Sequence, residues 1–222
     1  MGNTRSINKA RIPAKPILQQ PSHTAFHTAS IQSASTRDSR STWSCQDNFT
    51  LATIPFKGGT YTGMVLILFD STRLPHGEGI IVFPEGKPYK KITANFHNGI
   101  AVGEVVIEYY SGNIYFGPVD KELYPHGAGK YEYPEISCYK KIHARFEHGT
   151  LKTNMVTIEY RNGDVYCGSI MARGMPHGFG VVFNAKTGNR YEGEFERGVR
   201  IKGKVINPQG EIIEVIRKTT KS

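Results

Sequence analysis

Three histidines recur in one box. Pro-His-Gly-x-Gly stands at residues 75–79, 125–129 and 176–180, so His76, His126 and His177 could ligate a metal or relay a proton if they converged. Their spacing argues otherwise: one imidazole per unit of about fifty residues sets them on successive units rather than around one ion, and the expected role is structural. Catalysis needs a convergent set of titratable groups, and the sequence carries no Gly-x-Ser-x-Gly, P-loop, His-Glu-x-x-His or metal-spaced Cys/His cluster. Gly127-Ala128-Gly129 and Gly178-Phe179-Gly180 mimic phosphate loops, but they fall inside strand patterns and open no helix. The expectation is a non-enzyme with no catalytic residue, metal, cofactor or small-molecule substrate.

Two other sets of residues suggest binding chemistry. Lys90 and Lys91 return as Lys140 and Lys141, paired charges suited to anionic contacts or, equally, to guarding a sheet edge against aggregation. Met1-Gly2-Asn3-Thr4-Arg5-Ser6 satisfies the N-myristoylation template, with Gly2 as the acyl acceptor. Lys9, Arg11 and Lys15 follow before any acid, the second signal that a single acyl chain needs for stable attachment to an acidic membrane. The other reading of this segment is a flexible tail that begins with glycine by chance.

The elements that position these residues repeat. Lys90 to Phe96 recurs as Lys140 to Phe146, and Ile107-Glu108-Tyr109 recurs as Ile158-Glu159-Tyr160. A fixed period argues for stacked supersecondary units that bury an apolar face only against their neighbours, and such arrays present surfaces to partners. Alternation of apolar and polar residues is that of strands. Turns are expected at Glu85-Gly86, Asn98-Gly99, Ser111-Gly112, His148-Gly149, Asn162-Gly163, Thr187-Gly188, Arg197-Gly198 and Gln209-Gly210, where asparagine and glycine accept positive φ. Residues 210–216 read as a last strand that closes or pairs the sheet edge. Glycines at alternate positions allow close backbone approach, with Tyr61, Tyr115, Tyr166 and Tyr191 filling the gap beside them.

The chain resembles the MORN repeat family, whose pattern is a Tyr-x-Gly strand, a glycine turn and a His-Gly-x-Gly strand. Tyr191-Glu192-Gly193-Glu194-Phe195-Glu196-Arg197-Gly198 carries the first half, and residues 76–79, 126–129 and 177–180 carry the second. Between them the pattern decays: residues 140–149 lack Tyr-x-Gly and residues 103–109 lack the His-Gly box. The resemblance implies an all-β, elongated single-layer antiparallel meander of hairpins, curled into a groove lined by aromatic side chains. Tyr61, Tyr115, Tyr166 and Tyr191 are then also the candidates for partner or groove contacts.

Residues 1–50 differ in kind: rich in Ser, Thr, Gln, Ala and Pro, they cannot bury enough apolar surface to offset ordering and read as a disordered basic arm before a repeat domain at 51–222. The formal charge of +9 divides into +4 on the arm, from six Lys or Arg less two Asp, and +5 on the rest. This favours anionic partners without choosing among them; basic residues in the arm are too sparse, and too free of aromatics, to suggest nucleic acid. Cys45, Cys138 and Cys167 form no framework and suggest reduced thiols in an intracellular protein. The expected function is a scaffold that binds proteins or itself, as a dimer or higher assembly, tethered by an acylated arm. The alternative is a virion or cytoskeletal component whose arm straps neighbouring subunits.

Overall fold

The computed structural model describes residues 48–153, 155–171 and 174–217; Gly2 and nearly all of the arm lie outside them. Its strands are β1 (Phe49–Phe56), β2 (Gly59–Ile67), β3 (Arg73–Val82), β4 (Tyr89–His97), β5 (Ile100–Tyr109), β6 (Ile114–Gly117), β7 (Gly127–Glu132), β8 (Tyr139–Glu147), β9 (Thr150–Leu151), β10 (Met155–Tyr160), β11 (Val165–Ile170), β12 (Pro176–Phe183), β13 (Arg190–Glu196), β14 (Val199–Ile206) and β15 (Ile212–Ile216). All belong to one antiparallel sheet in which each strand pairs with the next in sequence, except that β9 is a spur on β8 and β10 takes its place beside β8. No helix occurs among the described residues. The all-β single-layer meander expected from the repeats is the observed fold, and residues 212–216 form its last strand.

Turn chemistry sets the hairpins. At Lys57-Gly58, Asn98-Gly99, His148-Gly149 and Arg197-Gly198 both residues have positive φ, from 46° to 50° at the first and 73° to 84° at the glycine. This is the primed geometry whose twist matches that of the flanking strands. Lys57-Gly58 is the one of the four that the sequence did not flag. In three of them the glycine amide donates to the proline carbonyl of the box: Gly99 to Pro75, Gly149 to Pro125 and Gly198 to Pro176, each at 2.8 Å. The box and the turn that follows it are thus a single clamp, copied three times.

One face of the sheet carries the core. A row of large side chains runs in register from Ile54 through Tyr61, Ile81, Ile92, Ile107 and Tyr115, and continues through Tyr131, Ile142, Ile158, Tyr166, Val182 and Tyr191 to Val205. Beside it runs a row of small residues, including the facing pairs Gly63 and Gly79, Gly129 and Ala144, Gly168 and Gly180, and Gly193 and Gly203. A single sheet buries side chains only by curling and letting large ones lean over small ones, and this pairing of rows does so.

Candidate interaction surface

Each Tyr-x-Gly tyrosine makes the same set of contacts. The Tyr61, Tyr115, Tyr166 and Tyr191 hydroxyls donate to the carbonyls of Met64 (2.8 Å), Pro118 (2.9 Å), Ser169 and Glu194 (3.0 Å), each three residues on. Each ring lies over the glycine two residues on: a Cβ on Gly63 would stand 2.5 Å from the Tyr61 hydroxyl, and one on Gly168 would stand 2.7 Å from the Tyr166 hydroxyl. Phe96, Phe146 and Phe195 meet these rings edge-on, with centroids 5.3, 5.7 and 5.1 Å from Tyr61, Tyr115 and Tyr191. All four tyrosines are 0–1% exposed. The sequence expected them to offer partner contacts; with their rings sealed against the sheet's own glycines they are packing residues, and that expectation is corrected.

The repeated lysines separate by position. A bulge at Lys90, and another opposite Glu159 and Tyr160, breaks strict alternation. Lys90 and Lys140 are exposed, with no ion-pair partner among the described residues. Lys91 is paired with Glu108 across β4 and β5, and Lys141 reaches Glu132 at 3.0 Å, with Lys130 on the same carboxylate at 3.1 Å. The Lys141 hydrogen bond, aided by Lys130, holds Glu132 below the usual carboxylate range, and Glu132 in turn raises Lys141. Of the four repeated lysines, Lys91 and Lys141 are thus already engaged within the sheet. The edge-guard reading is corrected too, since β4 and β8 are flanked by strands on both sides.

A second aromatic series went unread in the sequence. Tyr89, Tyr109 and Tyr131 pack ring against ring, edge-on and then tilted, with centroids 5.6 and 5.7 Å apart, and the Tyr109 and Tyr131 hydroxyls bond at 2.9 Å. Tyr133, Tyr139 and Tyr160 continue it at 5.9 and 5.6 Å. Burial pushes the Tyr115, Tyr133 and Tyr160 phenols up to about 12, and raises Tyr89, Tyr109, Tyr131, Tyr139 and Tyr166 further. Tyr89, Tyr109, Tyr131, Tyr133, Tyr139 and Tyr160 carry no Tyr-x-Gly signature, so only their ring contacts reveal them as a set.

The box histidines stay on separate units, as their spacing predicts. His76 packs between Phe49 and His97, at 4.7 and 5.2 Å. His126 instead faces His148, at 5.5 Å, whose Nδ1 lies 2.7 Å from Asp120 Oδ2.

What remains open is the outer face and the two ends. Among the described residues β1 pairs only with β2, and β15 only with β14. Leu51 on β1 is 80% exposed, and Ile212, Ile213 and Val215 on β15 are 54–58% exposed. Phe179 and Phe183 add exposed rings on β12. At β1 and β15 this is apolar surface beside backbone with no partner among the described residues, the arrangement that recruits another chain, whereas β12 is paired on both sides.

No family model and no curated protein matches the chain. Among solved structures it is similar to the TCP domain of SAS-4 (dCPAP) of Drosophila melanogaster, in complex with a proline-rich motif of Ana2 (dSTIL), at 14% identity and a TM-score of 0.42 over 85% of this chain and 99% of that one. A point mutant of the TCP10 domain of Danio rerio CPAP is similar at 12% identity and a TM-score of 0.23 over 76% of this chain and 99% of that one. Neither score carries an assignment across.

Proposed function

We propose that the protein is a non-enzymatic scaffold of the MORN-repeat kind, which binds protein partners or further copies of itself through its open sheet and is held at an acidic membrane by an N-myristoylated basic arm. The observation that carries this reading is the pair of end strands, β1 and β15, each with one neighbour among the described residues and each presenting exposed aliphatic side chains. Unpaired backbone beside apolar side chains gains on association both hydrogen bonds and buried area. The exposed Lys90 and Lys140 add attraction to anionic surfaces that salt weakens.

One comparison tests both halves. The full chain is co-expressed with an N-myristoyltransferase and compared with Gly2→Ala and Leu51→Lys by sedimentation velocity and by flotation with acidic vesicles. Concentration-dependent association that Leu51→Lys weakens, with flotation that needs Gly2 and falls with salt, is the expected result. A monomer at all concentrations removes the self-association reading, and equal flotation of wild type and Gly2→Ala removes the lipid tether.

A further inference from the structure

We propose that Asp120, His126 and His148 form a binding site for a divalent transition-metal ion, with zinc the best match to two imidazoles and one carboxylate. One ligand atom from each of the three lies within 4.8 Å of the other two. The repeat explains how they meet. The Gly149 amide clamps its turn to the Pro125 carbonyl, so the residue before that glycine is brought beside the box histidine. The equivalent turn residue is Asn98 in the first unit, His148 in the second and Arg197 in the third. Six residues before the box histidine stand Asp70, Asp120 and Met171. The first unit has a second imidazole, His97, beside His76, but among the described residues only the second unit brings a carboxylate and two imidazoles within reach of one another.

The three groups are also prepared differently from their counterparts. Asp70 is exposed and its Oδ1 accepts from the Thr72 amide, whereas the Asp120 side chain is only 8% exposed. Asp120 Oδ1 is fixed by the amides of Glu122 and Tyr124, both at 2.9 Å, which leaves Oδ2 directed at His148. Outer hydrogen bonds of this kind orient a carboxylate for an ion. His126 Nδ1 is buried without a hydrogen-bond partner, a condition that His76 shares, and each ring faces a second imidazole; what differs is that His126 also has a carboxylate within reach. Tetrahedral ligands about 2.0–2.1 Å from zinc are separated by about 3.3 Å, so His148 Nδ1 and Asp120 Oδ2, now 2.7 Å apart, must part slightly to admit the ion between them and His126. The exposed His148 ring is free to make that movement. Three protein ligands leave a fourth position for water or for a side chain of a bound partner. Coordination would tie the loop between β6 and β7 to the turn after β8.

The test is calorimetric titration of the metal-stripped full chain with zinc chloride, wild type beside Asp120→Asn and His148→Asn. Asparagine at 120 still accepts the two amide hydrogen bonds, and asparagine at 148 is what the first unit already holds in the same left-handed turn, so both variants retain the fold; their metal-free thermal unfolding verifies this. The expected outcome is a zinc-binding step weakened about tenfold or more in each variant, with zinc raising the unfolding temperature of the wild type alone. Zinc binding of equal strength in all three proteins, or none in the wild type, overturns the proposal and leaves the trio as a hydrogen-bonded histidine and aspartate.

Discussion

A tyrosine ring laid across glycine with its hydroxyl on a carbonyl three residues on is the unit from which this sheet is assembled. The two members of that unit fail in different ways. In Gly168→Ala the new Cβ meets the Tyr166 hydroxyl and the backbone of the facing strand at Phe179 and Gly180, and the backbone cannot yield; we expect a loss of about 3 kcal/mol by denaturant unfolding, at the upper end for an overpacked core. Tyr115→Phe keeps the ring and removes only the hydrogen bond to Pro118, whose carbonyl still accepts from the His126 amide at 3.0 Å, so the loss is about 1 kcal/mol. Equal losses in the two variants would show that ring and glycine are not matched as described. This pairing was legible in the sequence because tyrosine and glycine recur at a fixed offset. The meeting of Asp120 with His148 was not, because it depends on a turn folding back across a strand onto a loop 28 residues earlier in the chain.

At the scale of the element, the hairpins carry most of the information that the sequence offers. Three of the four primed turns were readable as Asn98-Gly99, His148-Gly149 and Arg197-Gly198, while Lys57-Gly58 was not, because residues as different as lysine, asparagine, histidine and arginine occupy the first left-handed position. A side chain other than glycine, asparagine or aspartate costs about 1–2 kcal/mol there. Arg197→Asn and Lys57→Asn should accordingly raise stability, by about 0.5–1 kcal/mol each, read as a higher denaturant midpoint at unchanged slope. The bulges at the repeated lysines mark the limit of pattern reading. An extra residue in one strand is set by how its neighbours pair, so Lys90 and Lys91 look alike in sequence while one is free and the other is ion-paired.

Over the whole molecule, the buried phenols make stability depend on alkali. Tyr115, Tyr133 and Tyr160 ionise near 12 in the fold, against about 10 when exposed in the unfolded chain. Above pH about 10 the unfolded state binds fewer protons than the folded one, so the stabilisation present below that pH is progressively lost as pH rises through 12. Phenolate absorbance and loss of the sheet's circular dichroism should therefore appear together, in one cooperative step above pH about 10. Gradual ionisation with the sheet intact would mean that the tyrosine series is open to water.

Because every strand of the main path pairs with its neighbours along that path, β1 and β15 occupy opposite edges of the sheet. Tension applied between them acts along the hydrogen-bonding direction. Such a load breaks ladder bonds one after another, as a zip opens, instead of shearing many at once, so the sheet should yield at low force and pay out its length strand by strand. A tether anchored at one edge and loaded at the other would behave as a compliant, extensible spring.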